Sequence, residues 1–198
     1  TQVKEVTNAA LKSTEWKSIA EIARDRGVAP LDAFFDLALE DELAVDFMIP
    51  LLDIDEDRVV RKFSDPRTLI GISDGGAHVD MLCNAGYPSY MLGTFVREKR
   101  AITLEHAVKR MTSEPAQFFG MTDRGVLRPG MAADIVVFDL NTIGSPERPE
   151  IRHDLPGGGR RLVTQAEGIT HTLVNGQVLY EGLRHTGILP GQVLRAKR

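Results

Sequence analysis

One short apolar run that stops at an acidic residue constrains this chain more than any other feature. Leu69-Ile70-Gly71-Ile72 is followed by Ser73-Asp74-Gly75-Gly76-Ala77-His78. Residues 69–72 read as a strand buried on both faces, the environment of a parallel sheet. Asp74 then stands at the strand's carboxyl end, where barrel and open α/β enzymes carry their catalytic groups. Gly75 and Gly76 permit a sharp turn and leave room for a ligand. His78 comes four residues after the acid. A carboxylate so placed can act as a general base, bind a metal, or cap the loop that follows. Residue types alone leave all three open.

The surrounding pattern alternates helix and strand. Residues 17–26 read as a helix with Ile19, Ile22 and Ala23 on one face and Gly27 as its stop. Pro30 starts a second helix through about residue 42, with Leu31, Phe34, Phe35, Ala38 and Leu39 as its apolar face. Residues 45–49 form a strand ending at Pro50, and 55–62 a short helix. Residues 1–15 are polar and show no period. After the loop from Gly75 to about Pro88, helices are expected over 89–100, over 103–112 with Thr103 as cap, and from about 113 to Gly120. Such alternation indicates α/β architecture with parallel strands.

The character changes after Gly120. Ala133-Asp134-Ile135-Val136-Val137-Phe138-Asp139 is a strand, and residues 141–160, rich in proline and glycine, read as loop. Thr170-His171-Thr172-Leu173-Val174 and Gln177-Val178-Leu179-Tyr180 flank Asn175-Gly176, which signals a β-hairpin. A small β module therefore follows the α/β part.

Composition removes several classes of function. A chain of 198 residues, 42% hydrophobic and 26% charged, is ordinary for a globular protein of one or two domains. A net charge of −4 gives no reason to expect nucleic acid or an anionic membrane as partner. No stretch approaches the ~18 apolar residues of a membrane span. The opening residues lack the apolar core of a signal peptide and an initiator Met, so a cytoplasmic location is expected, for a processed chain or a piece of a longer one. Cys83 alone cannot form an intrachain disulfide and reads as a small buried hydrophobe.

Four passages together resemble the C-terminal part of metal-dependent amidohydrolases of the D-aminoacylase (N-acyl-D-amino-acid deacylase) branch. They are Gly71-Ile72-Ser73-Asp74-Gly75; Thr103-Leu104-Glu105-His106-Ala107-Val108-Lys109-Arg110-Met111-Thr112 with Pro115-Ala116; the run from Asp123-Arg124-Gly125 through Pro129-Gly130-Met131-Ala132-Ala133-Asp134 to Asp139; and Val174-Asn175-Gly176. The resemblance implies α/β plus β architecture, the C-terminal fragment of a TIM-like (β/α)8 barrel joined to part of a small β-sandwich. Residues 1–120 would be the last βα units and 121–198 the sandwich part. Residues 45–49 and 69–72 would be the seventh and eighth strands, parallel neighbours joined by a right-handed crossover.

The resemblance further implies Asp74 as the catalytic acid/base, a candidate metal ligand as well, with zinc as the cofactor of the complete enzyme. Gly75, Gly76 and His78 would touch the substrate, a small-molecule N-acyl amino acid or related amide, with a cyclic amide as the alternative. Asp80, Asn84 and Tyr87 lie on the same loop. The five histidines (His78, His106, His153, His171 and His185) contain no His-x-His pair. The chain alone is therefore expected to hold no zinc and to be inactive; the rival reading is a non-catalytic truncated, structural or assembly module. D-aminoacylase is implied to use an arginine after this acid for the substrate carboxylate. Residues 75–92 contain no arginine or lysine, and Arg97, the nearest, falls within a predicted helix. An incomplete barrel leaves strand 45–49 with an open edge, so self-association is expected through it or the neighbouring helices.

Overall fold

The computed structural model describes residues 1–49, 55–71, 73–146 and 148–195. They pack as two compact units, Thr1–Val59 and Val60–Arg198.

In the first unit, the aperiodic start forms strand β1 (Gln2–Glu5) and a 3-10 turn (Ala9–Thr14). Val3, Val6 and Leu11 are buried there. Helix α1 (Ile19–Arg26) starts on a capping box: the Ser18 hydroxyl accepts from the Glu21 N–H, and the Glu21 carboxylate accepts from the Ser18 N–H. Helix α2 (Pro30–Glu40) carries proline in its first turn, where no N–H is missed. Strand β2 (Asp46–Met48) pairs antiparallel with β1, with Phe47 opposite Val3. Ile22 and Ala23 of α1 and Ala33 and Leu37 of α2 share one core with Val3, Val6, Phe34 and Phe47. The expected apolar face of α2 needs correction. Leu31, Phe35 and Leu39 are 64%, 54% and 68% exposed, and the buried side is Ala33 and Leu37. Asp32, Asp36 and Glu40 mark one charged face, and the apolar residues cover the rest of the helix, so periodicity could not tell which part of that broad arc is buried.

Helix α3 (Glu56–Ser64) leads into the segment that delivers Asp74. Residues 69–71 form no strand, and Ile72 lies outside the described residues. The expected parallel pair between 45–49 and 69–72 is therefore replaced: β2 has β1 as its partner, in antiparallel register. The physical reason is that a parallel strand takes its hydrogen bonds from neighbouring strands, and residues 69–71 have none among the described residues. Ile70 still enters the core of the second unit.

Helix α4 runs through Tyr87–Tyr90 and continues as a π-helical stretch, Met91–Glu98. It is followed by α5 (Leu104–Met111), capped by the Thr103 hydroxyl, and α6 (Ser113–Phe118). Then come β3 (Ile135–Phe138), β4 (Glu150–Leu155) and β5 (Gly159–Val163), the last two an antiparallel pair. The expectation of loop over 141–160 is thus corrected. Gly157 and Gly158, at φ 73° and 74°, turn the chain between two strands. β6 (Ile169–Val174), β7 (Gln177–Glu181) and β8 (Arg184–His185) complete an antiparallel sheet of order β3-β6-β7-β8. The β6–β7 turn is Asn175-Gly176, both at positive φ as a type I′ hairpin requires. The expected division at residue 120 falls inside this unit. Met91, Leu92, Val96 and Ala107 from the helices bury against Ile143, with Phe138 and Ile169 of the sheet packed on them. Among the described residues no helix is long and apolar enough to cross a membrane.

Asp41, buried after α2, holds the first unit's entry segment. Its carboxylate accepts from the Asn8 N–H at 2.6 Å, the Thr7 N–H at 3.0 Å and the Thr7 hydroxyl at 2.9 Å. Burial pushes this carboxyl up, but the Asn8 and Thr7 donors outweigh it and hold the group below the ordinary carboxylate range. A lowered folded value means stability that is full above the ordinary range and lost as pH falls through the folded value. Asp41→Asn should therefore lower the thermal unfolding midpoint near pH 7, and the gap to the parent should narrow in acid, at about pH 2. Calorimetry across that range checks this; a gap of constant size contradicts it.

Candidate active site

Asp74 and the turn that follows it, residues 75–81, lie at the surface of the second unit. The Asp74 carbonyl accepts from the Ala77 N–H at 3.0 Å, and the His78 carbonyl from the Met81 and Leu82 N–H groups at 2.8 and 3.1 Å. Gly76 takes φ 103°, and His78 takes φ 48°. A left-handed histidine costs on the order of 1–3 kcal/mol and persists where the surroundings impose it. Gly75 also lacks room for a side chain, since a Cβ there would stand 3.1 Å from that of Ala85. Both reactive side chains, Asp74 and His78, are exposed. Among the described residues no group bonds the Asp74 carboxylate or the His78 ring.

The backbone of this loop, by contrast, is tied down. The Leu162 N–H of β5 donates to the Val79 carbonyl at 2.7 Å, and the Thr164 hydroxyl to the Cys83 carbonyl at 3.4 Å. Ser145 and Ser89 both donate to the Gly86 carbonyl, at 2.8 and 3.0 Å. Upstream, the Tyr87 hydroxyl donates to the Gly71 carbonyl at 2.9 Å. The loop is therefore held by residues up to 81 positions away in sequence. The sequence marks Tyr87 only as a residue of this loop, and nothing in it points to Ser89, Ser145, Leu162 or Thr164 as tethers. No local pattern marks a residue whose partner is that distant.

The remaining candidates separate clearly. Asp80 and Asn84 are exposed on the same loop, and Cys83 is half-buried rather than buried. The Arg97 guanidinium donates to the Ile143 and Asn141 carbonyls and pairs with Glu98, so it braces the β part. His106 is half-buried on α5. His153, His171 and His185 are exposed on strands. Among the described residues no three His, Cys, Asp or Glu side chains gather as a metal site. Asp74 and His78 are two donors where zinc takes three or four protein ligands. The donor set of the described residues does not by itself fit zinc.

Comparison with known proteins gives this geometry a context. A model of the amidohydrolase family matches residues 9–180. The chain is 35% identical over 150 residues to an N-acyl-D-glutamate deacylase of Alcaligenes xylosoxydans xylosoxydans, covering 72% of this chain and 27% of that protein. It is 34% identical over 166 residues to an N-acyl-D-aspartate deacylase of the same organism, covering 80% of this chain and 31% of that protein. Among solved structures it resembles the N-acyl-D-glutamate deacylase of Bordetella bronchiseptica, crystallised with zinc and a phosphonate mimic of the tetrahedral intermediate. The TM-score is 0.52 at 33% identity, over 98% of this chain and 37% of that one. The chain thus spans roughly a third of the length of its relatives and has a partial amidohydrolase fold.

The tie-down of the loop is testable at Gly86. A Cβ there would lie 2.6 Å from the Ser145 Oγ and 2.9 Å from the Thr164 Cγ2, so both tethers must shift. Gly86→Ala should cost about 1–3 kcal/mol of stability, as overpacking does, and raise amide exchange over residues 75–86. Unchanged exchange there contradicts the tethering.

Proposed function

The chain belongs to the amidohydrolase family, and on that premise we propose that it supplies the general acid/base, Asp74, of an N-acyl-D-amino-acid deacylase whose active site is completed by the rest of a longer protein. One observation carries this: Asp74 is an exposed carboxylate without a partner among the described residues, on a loop whose backbone is otherwise fastened. Structural carboxylates in this chain look different. Asp41 accepts several hydrogen bonds and is buried. Asp134 accepts from the Asn175 N–H and pairs with Arg124. Asp154 binds Arg161 through two bonds.

In the reaction, water adds to the amide carbonyl carbon while Asp74 takes its proton. The C–N bond then breaks as Asp74 returns that proton to the departing nitrogen, giving a carboxylic acid and a free amino acid. Gly75 and Gly76 offer backbone, and His78 a ring, at the edge of the same turn for contacts to substrate. Zinc belongs in this reading to the whole protein, in keeping with the zinc of the Bordetella enzyme. Asp74 is at most one of its ligands, and the described residues bring no three His, Cys, Asp or Glu side chains together to supply the rest. Residues 1–120 are read as the last βα units of a TIM-like barrel and 121–198 as part of its β-sandwich. Residues 69–72 become the eighth strand once the neighbouring strands of a whole barrel are present to pair with them.

The test is made on the whole protein with N-acetyl-D-glutamate as substrate. Asp74→Asn should lower turnover by about 10²–10⁴, the range for loss of a general acid/base, and leave zinc content unchanged. Turnover close to that of the parent contradicts the assignment.

A further inference from the structure

We propose that Tyr87 is a positioning residue for Asp74: its hydroxyl, on the Gly71 carbonyl, sets where the acid/base stands. This rests on the assignment of Asp74 above. A carboxylate with no side-chain partner among the described residues can be oriented only through its backbone. The backbone around Asp74 is fixed at two points. Downstream, the Val79 carbonyl is held by the Leu162 N–H at 2.7 Å. Upstream, the Gly71 carbonyl is held by the Tyr87 hydroxyl at 2.9 Å. Gly71 precedes Asp74 by three residues, a span of at most about 10 Å of chain.

Tyr87 is well placed for the task. It opens α4, the helix whose Met91, Leu92 and Val96 are buried in the core of the second unit, so its ring stands on a rigid element. The segment it grips is anchored again at its start. There the Thr68 hydroxyl accepts from Arg110 Nη2 at 2.9 Å and bonds the Lys62 and Asp65 carbonyls. Arg110 itself is 2% exposed and paired with Glu114 at 2.6 Å. With Thr68 tied to α5 and Ile70 in the core, Gly71 is the last described point before Ser73 at which the chain can be aimed. The hydroxyl of Tyr87 is the group that aims it. The polar atom of Tyr87 thus faces the protein backbone.

Tyr87→Phe removes that hydroxyl and keeps the ring, so the fold is preserved. In the whole protein, with N-acetyl-D-glutamate, kcat should fall about tenfold with KM unchanged, since misplacing a catalytic group by even 1 Å is costly. In the Asp74→Asn background the same substitution should cost nothing further. In the 198-residue chain, Tyr87→Phe should speed amide exchange over residues 73–79 and leave exchange in α5 as it was. Three results overturn the inference. One is an unchanged kcat in Tyr87→Phe while Asp74→Asn is severely impaired. A second is an equal fall of kcat in both backgrounds, or exchange over 73–79 that does not respond. The third is near-normal turnover in Asp74→Asn itself, which removes the assignment of Asp74 and the role of Tyr87 with it.

Discussion

The hydrogen bonds that fasten the backbone on either side of Asp74 are the constraint on which the rest of this structure turns. A reactive carboxylate is most useful when nothing in its own chain neutralises it, yet it must stand in a defined place. This chain meets both needs by leaving the side chain unpartnered among the described residues and binding the main chain instead. Tyr87 grips Gly71, Leu162 grips Val79, and Ser89 and Ser145 grip Gly86. The left-handed backbone at His78 lies next to one of these restraints, the Leu162 bond to Val79.

That arrangement explains why helices and β-strands share one core in the second unit. The grips on the loop come from α4, from the segment that precedes β4, and from β5. If these elements moved independently, the loop could not be held at several points at once. Ile143 buried among Met91, Leu92, Val96 and Ala107, with Arg97 bracing the Ile143 and Asn141 carbonyls, keeps them in one body. On the proposed reading of Asp74, the β part serves to hold its loop, although it carries no group of the proposed mechanism.

Much of the local structure was legible because it follows from local chemistry. Thr103 caps a helix, Pro30 opens one, and Asn175-Gly176 turns a hairpin, each through bonds or dihedrals set within a few residues. Asp74 stands out as a candidate for a similar reason, as an acid at the end of an apolar run beside two glycines. What escaped the sequence depended on distant partners. β1 buries Val3 and the charged Lys4, with Val6 and Leu11 beyond it, too few apolar positions for a period. β4 and β5 were hidden because Gly157 and Gly158 resemble a loop when they are a turn. The outward side of α2 reads as core because Leu31, Phe35 and Leu39 are as apolar as the residues that are buried. Residues 69–72 carry the composition of a doubly buried strand, but composition records the environment of the whole fold, and strand pairing requires the neighbours themselves.

The most direct test is a crystal structure of the whole protein with zinc and a phosphonate analogue of N-acetyl-D-glutamate, whose tetrahedral phosphorus stands in for the carbon under attack. The account requires an Asp74 carboxylate oxygen at about 2.6–3.2 Å from a phosphonate oxygen or the group that replaces the departing nitrogen, the reach of a general acid/base. A phosphonate bound to zinc with Asp74 turned away from it, and another carboxylate or histidine at that distance, would contradict the account.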